Sequence, residues 1–271
     1  MPNTKIDLHM HSNNSPDGYN SVNELCQQAI TMGVGVIAVT DHCECQAFYD
    51  DDTAARMAKS YADITEAKAL FADKLIVTRG IESGQPNQNR KAEAEILSSH
   101  KFDFVMASLH NARDSEDYYY MDYTNPDLDL TALMRKYFKE LLEIADECNY
   151  DCLAHLTYPI RYFGKPLSEI DLSPFDADID AILRRVAARN KALEINLSGI
   201  RKGLGFTQPH LPILQKFREL GGKYITIGSD AHRKLEVGSN IDDGIELARQ
   251  AGFESITYYV QREPIQLKIE N

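Results

Sequence analysis

Strand-like and helical runs alternate along this chain without a break, and that alternation restricts its fold more than any other feature. Short apolar runs recur at residues 5–8, 34–39, 75–82, 102–107, 152–154, 193–196 and 224–227. Helical stretches separate most of them. They are expected at about 22–32, 53–72, 89–98, 130–148, 173–190, 209–220 and 242–250. A strand that is apolar along its whole length, as at 34–39, suits a parallel sheet buried on both faces. Parallel strands joined by helices require right-handed crossovers. Seven or eight such units in one chain favour a closed α/β barrel over an open sheet.

Local signals mark several boundaries. Ser21 followed by Glu24 has the form of a capping box, and Gly33 closes the helix that it starts. Ser173-Pro174 reads as an N-cap and a first helical residue. Residues 43–52 read as an acidic loop, and Tyr118, Tyr119, Tyr120 and Tyr123 lie in a long loop before the fourth helix. Residues 255–259 form either a further strand or a segment outside a seven-strand ring.

Composition narrows the function classes. With 43% hydrophobic and 26% charged residues over 271 positions, the chain can bury a core of useful size. A net charge of −12 with no Lys/Arg run repels nucleic acid and anionic membrane, so neither is an expected partner. No run approaches the roughly 20 apolar residues that span a bilayer. Residues 1–5 lack a basic segment followed by an apolar one, and the five cysteines form no CxxC pair; a cytoplasmic protein with reduced thiols is expected. A monomer is the default expectation.

The expected strand ends carry a second pattern. His9 and His11 follow the first strand, spaced i and i+2, so that both project from one face. His42 follows the second strand, Glu82 the third, His110 the fourth and His155 the fifth; Asp230 and His232 follow the seventh, and Asp17 lies in the first loop. In a parallel barrel all C-terminal strand ends meet on one face. One such histidine is usually scaffold. Six of the eight histidines with three carboxylates exceed the needs of one tetrahedral ion, so two or three divalent ions are expected. Mixed nitrogen and oxygen ligands suit zinc, manganese or iron. Such centres hydrolyse phosphate esters. Arg161, Arg201 and Arg233, with Lys202 and Lys234, lie in the loops after strands five to seven. The arginines are candidate phosphate contacts, because a guanidinium fork matches a terminal phosphate. Glu44, in the acidic loop, is a candidate partner for an amine on the substrate.

These motifs carry a resemblance. Asp7-Leu8-His9-Met10-His11-Ser12, Thr40-Asp41-His42, Gly80-Ile81-Glu82, Ser108-Leu109-His110, Ala154-His155 and Gly228-Ser229-Asp230-Ala231-His232 are similar, in this order, to those of the polymerase and histidinol phosphatase (PHP) family. The resemblance implies a single domain over residues 1–271, a distorted (β/α)7 TIM-like barrel with its active site at the C-terminal strand ends. It implies one ion on His9, His11, Glu82 and Asp230, a second on Glu82, His110 and His155, and a third on Asp17, His42 and His232. A hydroxide bridging the first two ions would attack phosphorus, with Glu82, Asp230 and His232 as the catalytic set. Within the family the chain resembles the stand-alone phosphatases that act on L-histidinol phosphate in histidine biosynthesis. From the residues alone, two other readings stay open: a phosphoesterase of nucleotides or short oligonucleotides, and a non-catalytic metal-binding regulatory domain, which would bind metal without turnover.

Overall fold

A computed structural model describes residues 5–270; the reading of the N-terminal segment, which falls on residues 1–4, lies outside the described residues. In chain order the elements are β1 (Ile6–Asp7), α1 (Val22–Thr31), β2 (Val36–Val39), β3 (His42–Glu44), α2 (Thr53–Leu70), β4 (Ile76–Gly84), α3 (Arg90–Ser99), β5 (Phe104–Ser108) and α4 (Leu130–Glu147). They continue with β6 (Cys152–Leu153), α5 (Asp176–Ala188), β7 (Ala192–Asn196), α6 (Ser198–Arg201), α7 (Leu211–Glu219), β8 (Tyr224–Gly228), α8 (Ile241–Gln250), β9 (Ser255–Val260) and β10 (Glu263–Lys268).

Hydrogen-bonded parallel strands run in the order β1-β2-β4-β5-β6-β7-β8. The ends of this path meet: Leu8 N–H donates to Ile227 C=O, Asp230 N–H to His9 C=O and His11 N–H to Ala231 C=O, each at 2.8 Å. The expected TIM-like α/β barrel is thus the observed fold. Its strands are apolar on both faces because both are covered. Val36 and Ala38 of β2 join one buried cluster, and Ile37 and Val39 join the other. That split is the period-2 alternation of a strand between the barrel interior and the helical layer.

The capping box forms as expected. The Ser21 hydroxyl accepts from Glu24 N–H, and Glu24 Oε2 accepts from Ser21 N–H at 3.0 Å. Three local expectations are corrected. Residues 43–52 are not all loop, since β3 pairs in parallel with β4 in the register His42↔Glu82. The nine residues of β4 outlast β2, and its second half accepts β3, drawn in by the fully buried Cys43 and Cys45. Ser173-Pro174 opens a single 3-10 turn, Ser173–Phe175, and α5 starts only at Asp176 without a side-chain cap. The segment carrying Arg201 is the short helix α6.

The C-terminal segment lies outside the ring. β9 and β10 form an antiparallel hairpin. Tyr259 stacks on Phe104 at 5.1 Å, and Arg262 Nε donates to Asp151 Oδ2 at 2.9 Å. Asp103 and Asp151 precede β5 and β6, so the hairpin covers the N-terminal end of the barrel, opposite the histidines. Among the described residues, no helix is long and apolar enough to cross a membrane.

Candidate metal centre and active site

Glu82 is the hub. It sits inside β4, fully buried, because β4 continues past the strand end expected there. Its Oε1 lies 3.1 Å from His110 Nε2 and 3.1 Å from His155 Nε2. Its Oε2 lies 3.2 Å from His9 Nε2, 3.1 Å from His42 Nδ1 and 3.5 Å from His11 Nε2. Asp230 Oδ1 faces His11 Nε2 at 3.5 Å, His232 Nδ1 at 3.7 Å and His9 Nε2 at 3.8 Å. Asp17 Oδ2 reaches His232 Nε2 at 3.0 Å and His42 Nε2 at 3.7 Å. All nine residues picked as ligands from the sequence therefore lie in one connected cluster.

Four trios in this cluster bring ligand atoms within 4.8 Å of one another: His9-His11-Asp230, His9-Glu82-His155, His42-Glu82-His110 and His11-His42-His232. Buried His11 Nε2 and His42 Nδ1 make no hydrogen bond. Imidazole nitrogens converging on one another and on carboxylates fit a divalent cation of the zinc, manganese or iron type. Two of the residues hold a left-handed backbone, His155 at φ 21° and Asp230 at φ 56°. L-residues adopt that region at a cost, and such strain concentrates at functional sites.

Charge in the centre is strongly polarised. Burial opposes ionisation of Glu82 and Asp230, yet His9 and its neighbours hold both carboxyls well below the usual range. Burial, with His42 and His232 alongside, lowers His11 to about 3 and keeps it neutral. Burial also works against a charged His110, but the Glu44 and Glu82 carboxylates raise it to about 10.

Further residues, not picked as ligands, set the orientation of these rings. Glu194 Oε1 lies 2.7 Å from His9 Nδ1, and its Oε2 accepts the His155 N–H at 2.7 Å. A carboxylate on Nδ1 keeps the proton there and leaves Nε2 free for an ion. Glu44 plays the same part for His110, with Oε1 3.0 Å from Nδ1, while its Oε2 accepts Gln85 Nε2 at 2.6 Å. Glu44 is thus engaged inside the centre rather than turned toward a substrate amine. Asp41 accepts from Ser12 N–H at 2.6 Å, Ser12 Oγ at 2.7 Å, Ser15 Oγ at 2.9 Å and Ser60 Oγ at 2.5 Å. It thereby ties the loop bearing Asp17 to the end of β2. A signal for Glu194 existed: one carboxylate inside the apolar strand Leu193-Glu194-Ile195.

The candidate phosphate contacts separate. Arg161 is buried, donates Nη1 to Asp230 Oδ2 at 3.2 Å and lies 4.4 Å over the Tyr158 ring. Its Nε and Nη2 have no hydrogen-bond partner. Arg201 donates to the Ser229 carbonyl and, at 3.0 Å, to the Asp230 carbonyl, so it holds the backbone turn that carries Asp230. Arg233 is exposed and stacks 3.7 Å over Tyr19.

Known proteins place this arrangement. The model of the PHP domain matches residues 7–198. The histidinol-phosphatase of Lactococcus lactis subsp. lactis (strain IL1403) is 28% identical over 256 residues, which cover 94% of either chain. The probable histidinol-phosphatase of Thermotoga maritima is 27% identical over 249 residues, 92% of this chain and 93% of that one. Among solved structures, the histidinol phosphate phosphatase of L. lactis subsp. lactis, complexed with zinc, L-histidinol and phosphate, matches with a TM-score of 0.82 at 27% identity. That match covers 97% of this chain and 99% of the other. The PHP match takes in more than half of the chain, and within it fall seven of the nine clustered residues, all but Asp230 and His232, so that this protein belongs to the PHP domain family.

Proposed function

We propose that this chain is a metal-dependent phosphomonoesterase that hydrolyses L-histidinol phosphate to L-histidinol and inorganic phosphate, as in histidine biosynthesis, and that one barrel domain over residues 1–271 carries the activity. The observation that carries the reading is the buried Arg161, with Nε and Nη2 unpartnered and Nη1 on the carboxylate of Asp230. A buried guanidinium with two unpartnered nitrogens, hydrogen-bonded to a member of the ion-binding cluster, has the donors that a phosphate group needs. The likeness to phosphatases of histidinol phosphate, one of them solved with zinc, L-histidinol and phosphate, supplies the substrate.

His9, His11, Glu82 and Asp230 would hold one divalent ion, Glu82, His110 and His155 a second, and Asp17, His42 and His232 a third. Ions in these places supply Lewis-acid polarisation of phosphoryl oxygens and lower the pKa of a water. The protein supplies position. Glu82 presents one oxygen to the His9 side and the other to the His110 and His155 side, so it would contribute to two ion sites. Asp230 shares its carboxylate between the histidines and Arg161, which places the phosphate beside the ions. His232, half-buried against Asp17, completes the catalytic set at the mouth. Arg161 donates from its two unpartnered nitrogens, Nε and Nη2, to the phosphate, whose charge grows on non-bridging oxygens during transfer. Arg201 keeps the Asp230 turn in place. Arg233 is assigned a weaker role, attracting the anion from the rim.

Phosphate release from L-histidinol phosphate, p-nitrophenyl phosphate and AMP, with enzyme reconstituted in manganese or zinc, tests the proposal. A kcat/KM for L-histidinol phosphate that is orders of magnitude above the others is expected. Arg161→Ala should lower it about 10²–10³-fold, and Asp230→Ala should abolish it. Comparable low rates on every ester would discard the assigned substrate.

A further inference from the structure

The loop after β8 carries Asp230 and His232 and, four residues further on, a carboxylate outside the ligand cluster, Glu236. Residues Lys234–Glu236 form a single 3-10 turn, and Glu236 Oε2 accepts the Arg233 N–H at its start, at 3.0 Å. A capping role asks for no more than that contact. The same oxygen also accepts the His232 N–H at 2.8 Å, and Oε1 pairs with Arg201 Nε at 3.6 Å. Neither of these contacts serves the turn, and both lead back to the ion-binding cluster.

Arg201 spends its other donors on the same corner, Nη1 on the Ser229 carbonyl and Nη2 on the Asp230 carbonyl at 3.0 Å. The Asp230 carbonyl is shared, because His232 Nδ1 lies 3.1 Å from it. A carbonyl only accepts, so this contact puts the imidazole proton on Nδ1 and leaves Nε2 for an ion. That Nε2 lies 3.0 Å from Asp17 Oδ2. The His232 carbonyl in turn accepts the Tyr19 N–H at 3.0 Å, which docks the loop bearing Asp17. Glu236, Arg201, the Asp230 carbonyl and His232 thus close a ring of contacts. The ring joins a ligand of the first ion site to a ligand of the third.

We propose that Glu236 is a positioning residue of the third ion site: by holding the His232 main chain and the Arg201 guanidinium together, it sets the His232 imidazole against Asp17 and ties it to the turn that carries Asp230. The inference rests on the three ion sites assigned above and adds what fixes the outermost one. His9 and His110 are oriented by carboxylates on their own Nδ1 atoms. His232 has a backbone carbonyl there instead, so its carboxylate acts one step removed, through the main chain and through Arg201.

The test compares wild type, Glu236→Ala and Glu236→Gln, each loaded with manganese and dialysed against a graded chelator series, with the metal that remains counted per chain. In Glu236→Ala one equivalent is held about 10–100-fold more weakly than in wild type, and the other equivalents leave as before. Glu236→Gln keeps the volume and one acceptor oxygen, and it loses that equivalent less readily. The ligands themselves are intact, so added manganese restores hydrolysis of p-nitrophenyl phosphate by Glu236→Ala. A residue that only capped the turn would lower the Tm of the metal-free protein and leave metal retention unchanged. Retention equal to wild type in Glu236→Ala, loss spread evenly over all equivalents, or a wild type that never holds a third ion overturns the proposal. Should Glu236→Ala not fold, Glu236→Gln is judged by the same criterion. Failure of wild type to hydrolyse any phosphate ester would overturn the phosphomonoesterase reading instead, and metal retention would still decide the role of Glu236.

Discussion

At the scale of single residues, the histidines are held ready by groups that never reach an ion. His9 would be free to turn its ring without Glu194, whose Oε1 lies 2.7 Å from Nδ1. Glu194→Gln keeps the shape but makes this acceptor neutral, so the His9 imidazole becomes a poorer ligand. Metal affinity should drop about 10–100-fold, read as metal retained after dialysis against a graded chelator series. Retention equal to wild type would show that Glu194 only fills space. His11 presents the opposite case. Burial and its histidine neighbours lower it to about 3, so it is already neutral at neutral pH and gives up no proton to receive an ion. His110, raised to about 10 by Glu44 and Glu82 against burial, must lose its proton before it can ligate. Loading the metal-free protein at pH 7.5 should therefore release protons, and apparent affinity should rise with pH. Titration with zinc in a weakly buffered indicator solution measures this, and loading without acidification would contradict it.

At the scale of elements, strand length and one glycine decide the geometry. β4 runs on to Gly84, so Glu82 lies within the sheet between β3 and β5. β8 ends at Gly228, where an added Cβ would lie 2.3 Å from His9 Cβ and 2.5 Å from Glu194 Oε1. Only hydrogen fits between β8, β1 and β7 at that level. Gly228→Ala should force His9 and Glu194 apart, with a loss of about 1–3 kcal/mol in denaturant unfolding and weaker metal retention. Unaltered stability would mean that the strands shift freely there. Asp7 supports the same junction, its Oδ1 accepting Ser229 N–H at 2.8 Å and its Oδ2 accepting Gly238 N–H at 2.9 Å. The motif aspartate before His9 thus fixes the loop that delivers Asp230.

At the scale of the whole molecule, one end of the barrel concentrates charge that bare protein stabilises poorly. Glu82, Glu194 and Asp230 are buried together beneath half-exposed Asp17, in a chain of net charge −12. Ions bound by the folded state alone add stability by mass action, about 2.7 kcal/mol for each site held at a hundred times its Kd. Removing them with a chelator should lower Tm by roughly 5–10 °C per such site, given about 2–4 °C per kcal/mol for a domain of this size. Calorimetry before and after chelation, with restoration by manganese or zinc, tests this. A Tm indifferent to chelation would mean that the cluster holds no ion. The hairpin β9–β10 covers the opposite end, so the unfolding transition of the scaffold should persist in the metal-free protein.

Much of this architecture was legible from local pattern. Apolar runs bounded by glycine and polar residues marked the strands, and Ser21 with Glu24 marked α1, because backbone periodicity and capping depend on near neighbours. The His-x-His pair and the polar residues at later strand ends were visible for the same reason: the order of a parallel barrel brings C-terminal strand ends to one face. Other features depended on partners far along the chain. Whether residues 42–44 form a strand was decided by the free edge of β4, and Ser173-Pro174 opened a turn because Phe175 had to be buried before α5 could start. Arg161 and Arg201 look alike in sequence, but only the fold leaves two donors of the first open and directs the second to the carbonyls of Ser229 and Asp230. Glu44 reads in sequence as an acid free to meet a substrate, but the pairing of β3 with β4 turns it to His110 Nδ1. The sequence by itself determined the barrel and its set of ligand-type residues, through periodicities that repeat within a few positions. The tertiary structure alone decided which charges meet and which stay open, because those partners lie far apart along the chain and depend on where the strands end.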